Sequence, residues 1–393
     1  RQDESETAVE EIDDILCRLA QAYPTQTPRR WELIAKKLNR AMRKKRIPAQ
    51  PLKDLLAKQT MRLPQCWVTE IAESAETREP AKETARPDEK KGVFGGTLMF
   101  GGDHVAGESD TEPESDLEKE EGKGENPTDQ EDGVVHGDAP VYVYQPLTKC
   151  EVFSYMQKLH DRTGPRLLET EEAKADINRA GKMVDVLYEE LPVGTVKAIS
   201  QENVITAGLR HDSLAYGEIE TVSFLKVLVK LKRIHGHMME PGGSFWDLGA
   251  GVGKLVIAAA MMHNFESCYG VELLEALRNA SRPMLNRWRK EEVHNLQAAK
   301  TAIRLDFMFS DVMKQQGWVA EATLLYVHTN FSAVDLHELR ERADRMKARQ
   351  FVGAICLSVS LPAVNENKWG LLAVENVVTS WGSSKLYIHE KLV

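Results

Sequence analysis

The 393-residue sequence predicts an α/β fold. It is an open, mainly parallel, Rossmann-like sheet of seven strands, reached through a helical N-terminal cap and preceded by a small three-helix bundle. Three observations predict it. Phe245-Trp246-Asp247-Leu248 runs into Gly249-Ala250-Gly251-Val252-Gly253-Lys254, and Leu255 to Ala260 then begins an apolar helix, which reads as strand, tight turn and buried helix. Strand-length apolar runs alternate with helix-period segments from there onward. Asp247, Glu272, Asp311 and Asn330 stand at the C-terminal ends of four successive candidate strands, the edge where open parallel sheets bind ligands.

The N-terminal bundle is placed at residues 8–65. Ile12, Ile15, Leu16, Leu19 and Ala20 repeat at helical spacing between Ala8 and Tyr23. Thr27-Pro28 opens a second helix with Trp31, Ile34, Ala35 and Leu38 on one face, and Gln50-Pro51 opens a third with Leu52, Leu55 and Leu56. Nine basic residues against the single acid Glu32 lie between Arg29 and Arg46, enough to contact DNA phosphates or an acidic partner. The stretch from Tyr23 to Ala35 resembles the middle of a Myb/SANT-type domain, which implies DNA or histone-tail contact. Arg43-Lys44-Lys45-Arg46 also fits a nuclear-import patch.

Residues 68–140 change composition to Glu, Asp, Lys, Pro, Gly, Ser and Thr, too poor in apolar groups to offset the entropy of ordering, so a disordered acidic linker is expected. Residues 141–240 are read as the helical cap, with helical periods in Val152 to His160, Ala173 to Glu190 and Val222 to Leu231. Residues 241–393 are read as the core. Its strands are expected at Phe245 to Leu248, Ser267 to Glu272, Thr301 to Phe309, Ala322 to His328 and Phe351 to Ser360. An amphipathic helix covers Val334 to Lys347, and a hairpin pairs Val374 to Trp381 with Lys385 to Leu392 across a Gly382-Ser383-Ser384 turn.

The formal charge of −9 is unevenly placed, because Gly101 to Pro140 holds fourteen acids against two lysines, a net of −12, and the remainder carries about +3. The five cysteines lie far apart with no Cys or His ligand spacing, which argues against a structural metal and a disulfide framework. No apolar run approaches the roughly 20 residues that cross a bilayer, so no membrane partner is expected.

The G-x-G-x-G spacing of Gly249, Gly251 and Gly253 is neither the dinucleotide fingerprint nor a phosphate-binding loop, because Leu255 follows Lys254 where a magnesium-binding hydroxyl would stand. Glu272 lies about 25 residues after Asp247, where such folds hold a ribose. A nucleoside ligand without a phosphate lysine motif makes S-adenosylmethionine the leading candidate.

From Tyr216 to the C-terminus the chain resembles the catalytic domain of the disruptor-of-telomeric-silencing class of histone-lysine methyltransferases, a seven-stranded class I, non-SET group that uses S-adenosylmethionine. The resemblance rests on Tyr216-Gly217-Glu218, the Asp247 to Gly253 turn, Tyr269-Gly270-Val271-Glu272, Asn330-Phe331, the helix Val334 to Arg342, Ser380-Trp381 and Tyr387-Ile388-His389, in that order. It implies that Asp247 and Gly249, Gly251 and Gly253 hold the methionine end of the cofactor, that Glu272 accepts the ribose hydroxyls and that Asp311 accepts the adenine amine. Tyr216 and Asn330 would line the passage to the target amine, with Trp381 and Tyr387 as walls. Lys254 stands where the family has a neutral amide, so it either repels the sulfonium or binds the cofactor carboxylate. The expected activity is lysine methylation of a core histone in the nucleus. Two other readings stay open: a class I methyltransferase acting on another protein, nucleic acid or small molecule, and an inactive chromatin-binding protein.

Overall fold

The computed structural model describes residues 2–23, 29–45, 47, 146–208, 216–290, 303–328, 333–347, 351–356 and 368–392. The third bundle helix, the 68–140 linker, the start of the cap at 141–145 and the candidate residue Asn330 lie outside the described residues.

Among the described residues, six helices precede the first strand: α1 (Gln2–Ala22), α2 (Arg30–Lys44), α3 (Lys149–Leu168), α4 (Glu171–Leu187), α5 (Val193–Thr206) and α6 (Thr221–Arg233). The core continues through β1 (Ser244–Leu248), α7 (Lys254–Met262), β2 (Ser267–Glu272), α8 (Glu275–Lys290), β3 (Arg304–Phe309) and α9 (Gly317–Glu321). It ends with β4 (Leu324–His328), α10 (Ala333–Ala343), β5 (Phe351–Cys356), β6 (Trp369–Thr379) and β7 (Gly382–Lys391). None of the described helices is long and apolar enough to cross a membrane.

The described strands form one seven-stranded sheet in the order β3-β2-β1-β4-β5-β7-β6. β1 pairs in parallel with both β2 and β4, so connections leave it in opposite directions and a crevice opens at its C-terminal end. β7 is antiparallel to both β5 and β6. All five residues of β1 are buried, as expected for a strand covered on both faces. Phe245 packs in the core shared with α4, α6 and α7, whereas Trp246 and Leu248 pack on the other face with Trp318 and with Leu339 of α10. Strand alternation places Asp247 on the Phe245 face.

The closing hairpin turns earlier than the sequence reading placed it. Thr379 pairs with Gly382, so Ser380-Trp381 is a two-residue turn, and Gly382, Ser383 and Ser384 are the first residues of β7. Gly382 at φ 128° takes the conformation that lets the chain re-enter the ladder directly.

The described N-terminal helices share their core with the rest of the chain. The described N-terminal residues belong to the same compact unit as the described residues from Pro146 onward. The apolar stripe of α2, with Trp31, Ile34, Leu38 and Met42, is buried in the same core as α3 and α6. Trp31 meets Phe153 of α3 edge-on at 4.9 Å. Arg30, expected on the basic surface, is 4% exposed and forms an ion pair at 3.1 Å with Glu390 of β7. It also donates to the carbonyls of Tyr23 and His235. Burial of the apolar stripe turns this face of the helix inward, and Glu390 then compensates the charge that Arg30 carries with it.

A second buried charge group lies close by. Lys230 of α6 donates to both Glu375 oxygens at 2.7 and 2.8 Å, His160 of α3 also contacts Glu375, and His160 Nδ1 lies 2.6 Å from His235 Nε2.

Arg30→Ala, which leaves Glu390 buried and unpaired, is expected to cost about 3–5 kcal/mol in urea denaturation, while the exposed Arg40→Ala stays within about 0.5 kcal/mol. Equal small effects would show that α2 is not anchored through this pair. Burial first, and then neighbouring charge, holds His235 and His237 well below their ordinary 6.5. Both stay neutral in the fold while the unfolded chain takes up their protons. Stability is therefore intact above pH 6.5 and falls below it, by about 1.4 kcal/mol per pH unit for each histidine. Denaturation midpoints at pH 7.5 and about 5.5 test this, and an unchanged midpoint would contradict it.

Candidate active site

The turn after β1 is built from glycines in the left-handed region, with φ of 91°, 56° and 84° at Gly249, Gly251 and Gly253. The amides of Gly249 and Ala250 donate to the Val271 carbonyl at 2.9 and 3.0 Å, which folds the turn back over β2. At Gly251 the bare backbone also serves packing, because a Cβ would lie 2.7 Å from Cε2 of Tyr216.

Glu272 ends β2 and closes this turn. Its Oε2 accepts from the Gly251 amide at 2.7 Å and its Oε1 from the Leu274 amide at 2.8 Å. Burial raises its pKa, and these two amides pull it back down. Each carboxylate oxygen keeps a further lone pair for a ligand hydroxyl. Leu273 beside it and Phe309 at the end of the neighbouring β3 are 41% and 51% exposed, unusual for large apolar side chains at the ligand edge of a sheet. Asp311 lies two residues beyond Phe309. Its Oδ1 accepts from Met313 N at 2.9 Å, and its Oδ2 is 3.9 Å from Lys314 Nζ.

Asp247 is 2% exposed, and its Oδ1 has no hydrogen-bond partner among the described residues. Burial, followed by the charge of Glu272, raises its pKa well above 3.8. The Tyr326 hydroxyl, on the strand-paired residue of β4, is likewise buried and unpartnered among the described residues. A carboxyl group this desolvated would be ionised by a cation placed against it.

The mouth of the site is set by residues 216–220. The Glu218 amide donates to Ser380 Oγ at 3.1 Å, and the Ser380 amide returns to the Glu218 carbonyl at 2.8 Å. This pins the segment to the tip of the β6–β7 hairpin. Trp381 at that tip lies flat against Gly217, where a Cβ would meet its Cζ3 at 2.1 Å, and it remains 38% exposed. Trp381 therefore stands beside the residue that follows Tyr216.

Tyr387 is not gathered with them. It lies inside β7, and strand alternation turns it away from the face of Leu386 and Ile388, which share a core with Tyr216. The resemblance implied that Trp381 and Tyr387 wall one passage; along β7 the two stand about 20 Å apart, the length of six extended residues.

Lys254 opens α7 directly after the turn. Its Nζ pairs with Glu218 Oε1 at 2.9 Å, and the Tyr216 hydroxyl donates to Glu218 Oε2 at 2.9 Å. The Tyr188 hydroxyl donates to the Val252 carbonyl at 2.8 Å, and Lys254 Nζ stands 5.8 Å from the centre of its ring. Sequence reasoning missed Glu218, Tyr188 and Tyr326 as site residues. Only Glu218 left a signal, as an acid two residues after Tyr216.

The arrangement suits a ligand with an ammonium at one end and a nucleoside at the other. Asp247→Asn is expected to weaken S-adenosylmethionine binding about 10- to 100-fold, the worth of one charge-assisted hydrogen bond. Because the anion binds, affinity should rise with pH from the ordinary carboxylate range up to the raised pKa of Asp247, with a proton released on binding. Calorimetry in buffers of different ionisation heat reads that proton. Unchanged affinity in the variant would exclude Asp247 as the ammonium partner.

Residues 209–357 match the family described as Histone methylation protein DOT1. No curated protein matches the sequence. Among solved structures, TrmN from Thermus thermophilus is similar at 17% identity, over 49% of this chain and 53% of that one, with a TM-score of 0.32. A putative RNA methyltransferase from Pyrococcus horikoshii is 13% identical over 43% and 83%, with a TM-score of 0.30. TrmK from M. capricolum, in complex with S-adenosyl-homocysteine, is 7% identical over 38% and 62%, with a TM-score of 0.28. At such scores these three add nothing to the sheet order. The DOT1 match spans Tyr216, Asp247, Lys254, Glu272 and Asp311 and stops short of Trp381. The parallel strands β1 to β5 and the glycine turn lie inside that stretch, and the chain is a class I methyltransferase that uses S-adenosylmethionine.

Proposed function

We propose that this chain is a nuclear, non-SET histone-lysine N-methyltransferase acting on a core histone in chromatin. The observation that carries the histone reading is the match of residues 209–357 to a histone-methylation family. The aromatic edge made by Tyr216 and the exposed Trp381 supports lysine as the target.

S-adenosylmethionine supplies a methyl group activated on a sulfonium. Asp247 would hold its ammonium, Glu272 its ribose hydroxyls and Asp311 its adenine amine, with Leu273 and Phe309 offering apolar cover beside them. Displacement at a methyl group needs alignment and exclusion of water more than a strong base. Tyr216 and Trp381 would desolvate the incoming lysine, which disfavours its charged form, and their rings tolerate the methylated ammonium through cation–π contact. Burial and the Glu218 carboxylate hold the Tyr216 phenol well above 10, so it stays protonated and serves as wall and donor, not as base. Asn330 would line the same passage. Exposed Arg29, Lys36, Arg40, Arg43 and Lys44 offer a basic face to nucleosomal DNA or an acidic partner.

Radiolabelled methyl transfer to nucleosomes, free histones and RNA tests this reading. Label should appear on a histone lysine. Trp381→Ala should slow transfer about tenfold, the low end of what substrate positioning contributes, and leave cofactor affinity unchanged. Label on RNA alone would move the chain to another substrate class. Cofactor binding without transfer to any of the three would leave a chromatin-binding protein.

A further inference from the structure

Lys254 and Glu218 are the feature of the site that cofactor holding does not explain. Their side chains are 16% and 15% exposed and meet at 2.9 Å, so solvent screens the pair little. Neither charge is free to swing away. The backbone of Glu218 is fixed on both sides by Ser380, and its second oxygen is held by the Tyr216 hydroxyl. Lys254 begins α7 at the end of the glycine turn, beside the ring of Tyr188. Tyr216, held by this carboxylate, lies on Gly251 within the same turn. The pair is therefore a fixed, electrically balanced part of the wall next to the cradle of Asp247, Gly251 and Glu272.

S-adenosylmethionine and its product S-adenosylhomocysteine share the amino-acid end and the nucleoside, and they differ by one methyl group and the positive charge it places on sulfur. A balanced pair in the wall treats that charge neutrally, whereas either partner alone would not. We infer that Glu218 is a specificity-determining residue acting through Lys254: by cancelling the lysine charge it lets the site accept the sulfonium donor without favouring the neutral product. This rests on S-adenosylmethionine as cofactor and does not depend on which substrate receives the methyl group.

The test is calorimetric binding of S-adenosylmethionine and S-adenosylhomocysteine to the full chain and to Glu218→Gln, Lys254→Gln and the double variant, at low and high salt. The quantity read is the ratio of the two affinities. Glu218→Gln leaves a lone cation and should shift the ratio about tenfold toward the product, as expected for one charge at an effective dielectric of about 20. Lys254→Gln leaves a lone anion and should shift it by a similar factor toward the donor. The double variant should return to the wild-type ratio, and high salt should change the single-variant ratios little.

A purely structural role for Glu218 would weaken both ligands equally, leave the ratio unmoved and overturn the inference. Equal loss of both ligands in Lys254→Gln would do the same, by marking the lysine as an anchor for the shared carboxylate. If Glu218→Gln fails to fold, Lys254→Gln and the double variant still decide through their ratios. Failure of the wild-type chain to bind either ligand would overturn the cofactor assignment itself, a result distinct from an unmoved ratio.

Discussion

The site depends on one carboxylate that serves three parts of the chain at once. Glu218 gives one oxygen to Lys254 at the start of α7 and the other to Tyr216 over the glycine turn, while its backbone is tied to Ser380 at the tip of the last hairpin. Remove that carboxylate and the mouth loses the bond that holds Tyr216 against Gly251. Buried charges stay ionised only with partners this close, so the geometry of the mouth and its electrostatics are a single constraint.

Asp247 and Glu272 meet the same low-dielectric surroundings in different ways. Glu272 is satisfied within the protein by two amides, which shape the turn. Asp247 keeps an oxygen with no partner among the described residues and is pushed toward its neutral form. One acid is completed by the backbone and the other is not. The division follows from position, since Glu272 is the last residue of its strand and faces loop amides, whereas Asp247 is one residue short of its strand's end and faces side chains.

The parts of this arrangement that are local in sequence were legible there. Asp247, the glycines and Glu272 mark strand ends because the chain changes period at each of them, and the helix-strand alternation followed from the same change. What was hidden comes from pairings across long separations. Glu218 meets Lys254 across 36 residues, and Arg30 meets Glu390 across 360. The stripe of Trp31, Ile34, Leu38 and Met42 announced a helix with a buried face, but periodicity says nothing of what covers that face. Here α1 covers it together with α3. For Tyr387, likewise, a matching local string does not report how far along a strand a residue stands from the hairpin tip. The hairpin turn was misplaced by small polar residues after Trp381 that resemble a loop and belong to the ladder.

The side chain of Asn39 in α2 donates to the Leu147 carbonyl and accepts from the Leu147 amide, both at 2.8 Å. Asn39 in α2 and Leu147, just ahead of α3, are therefore fastened together across 108 residues of sequence. Because loop-closure entropy grows only slowly with length, a tie of this reach costs little more than one of half its span.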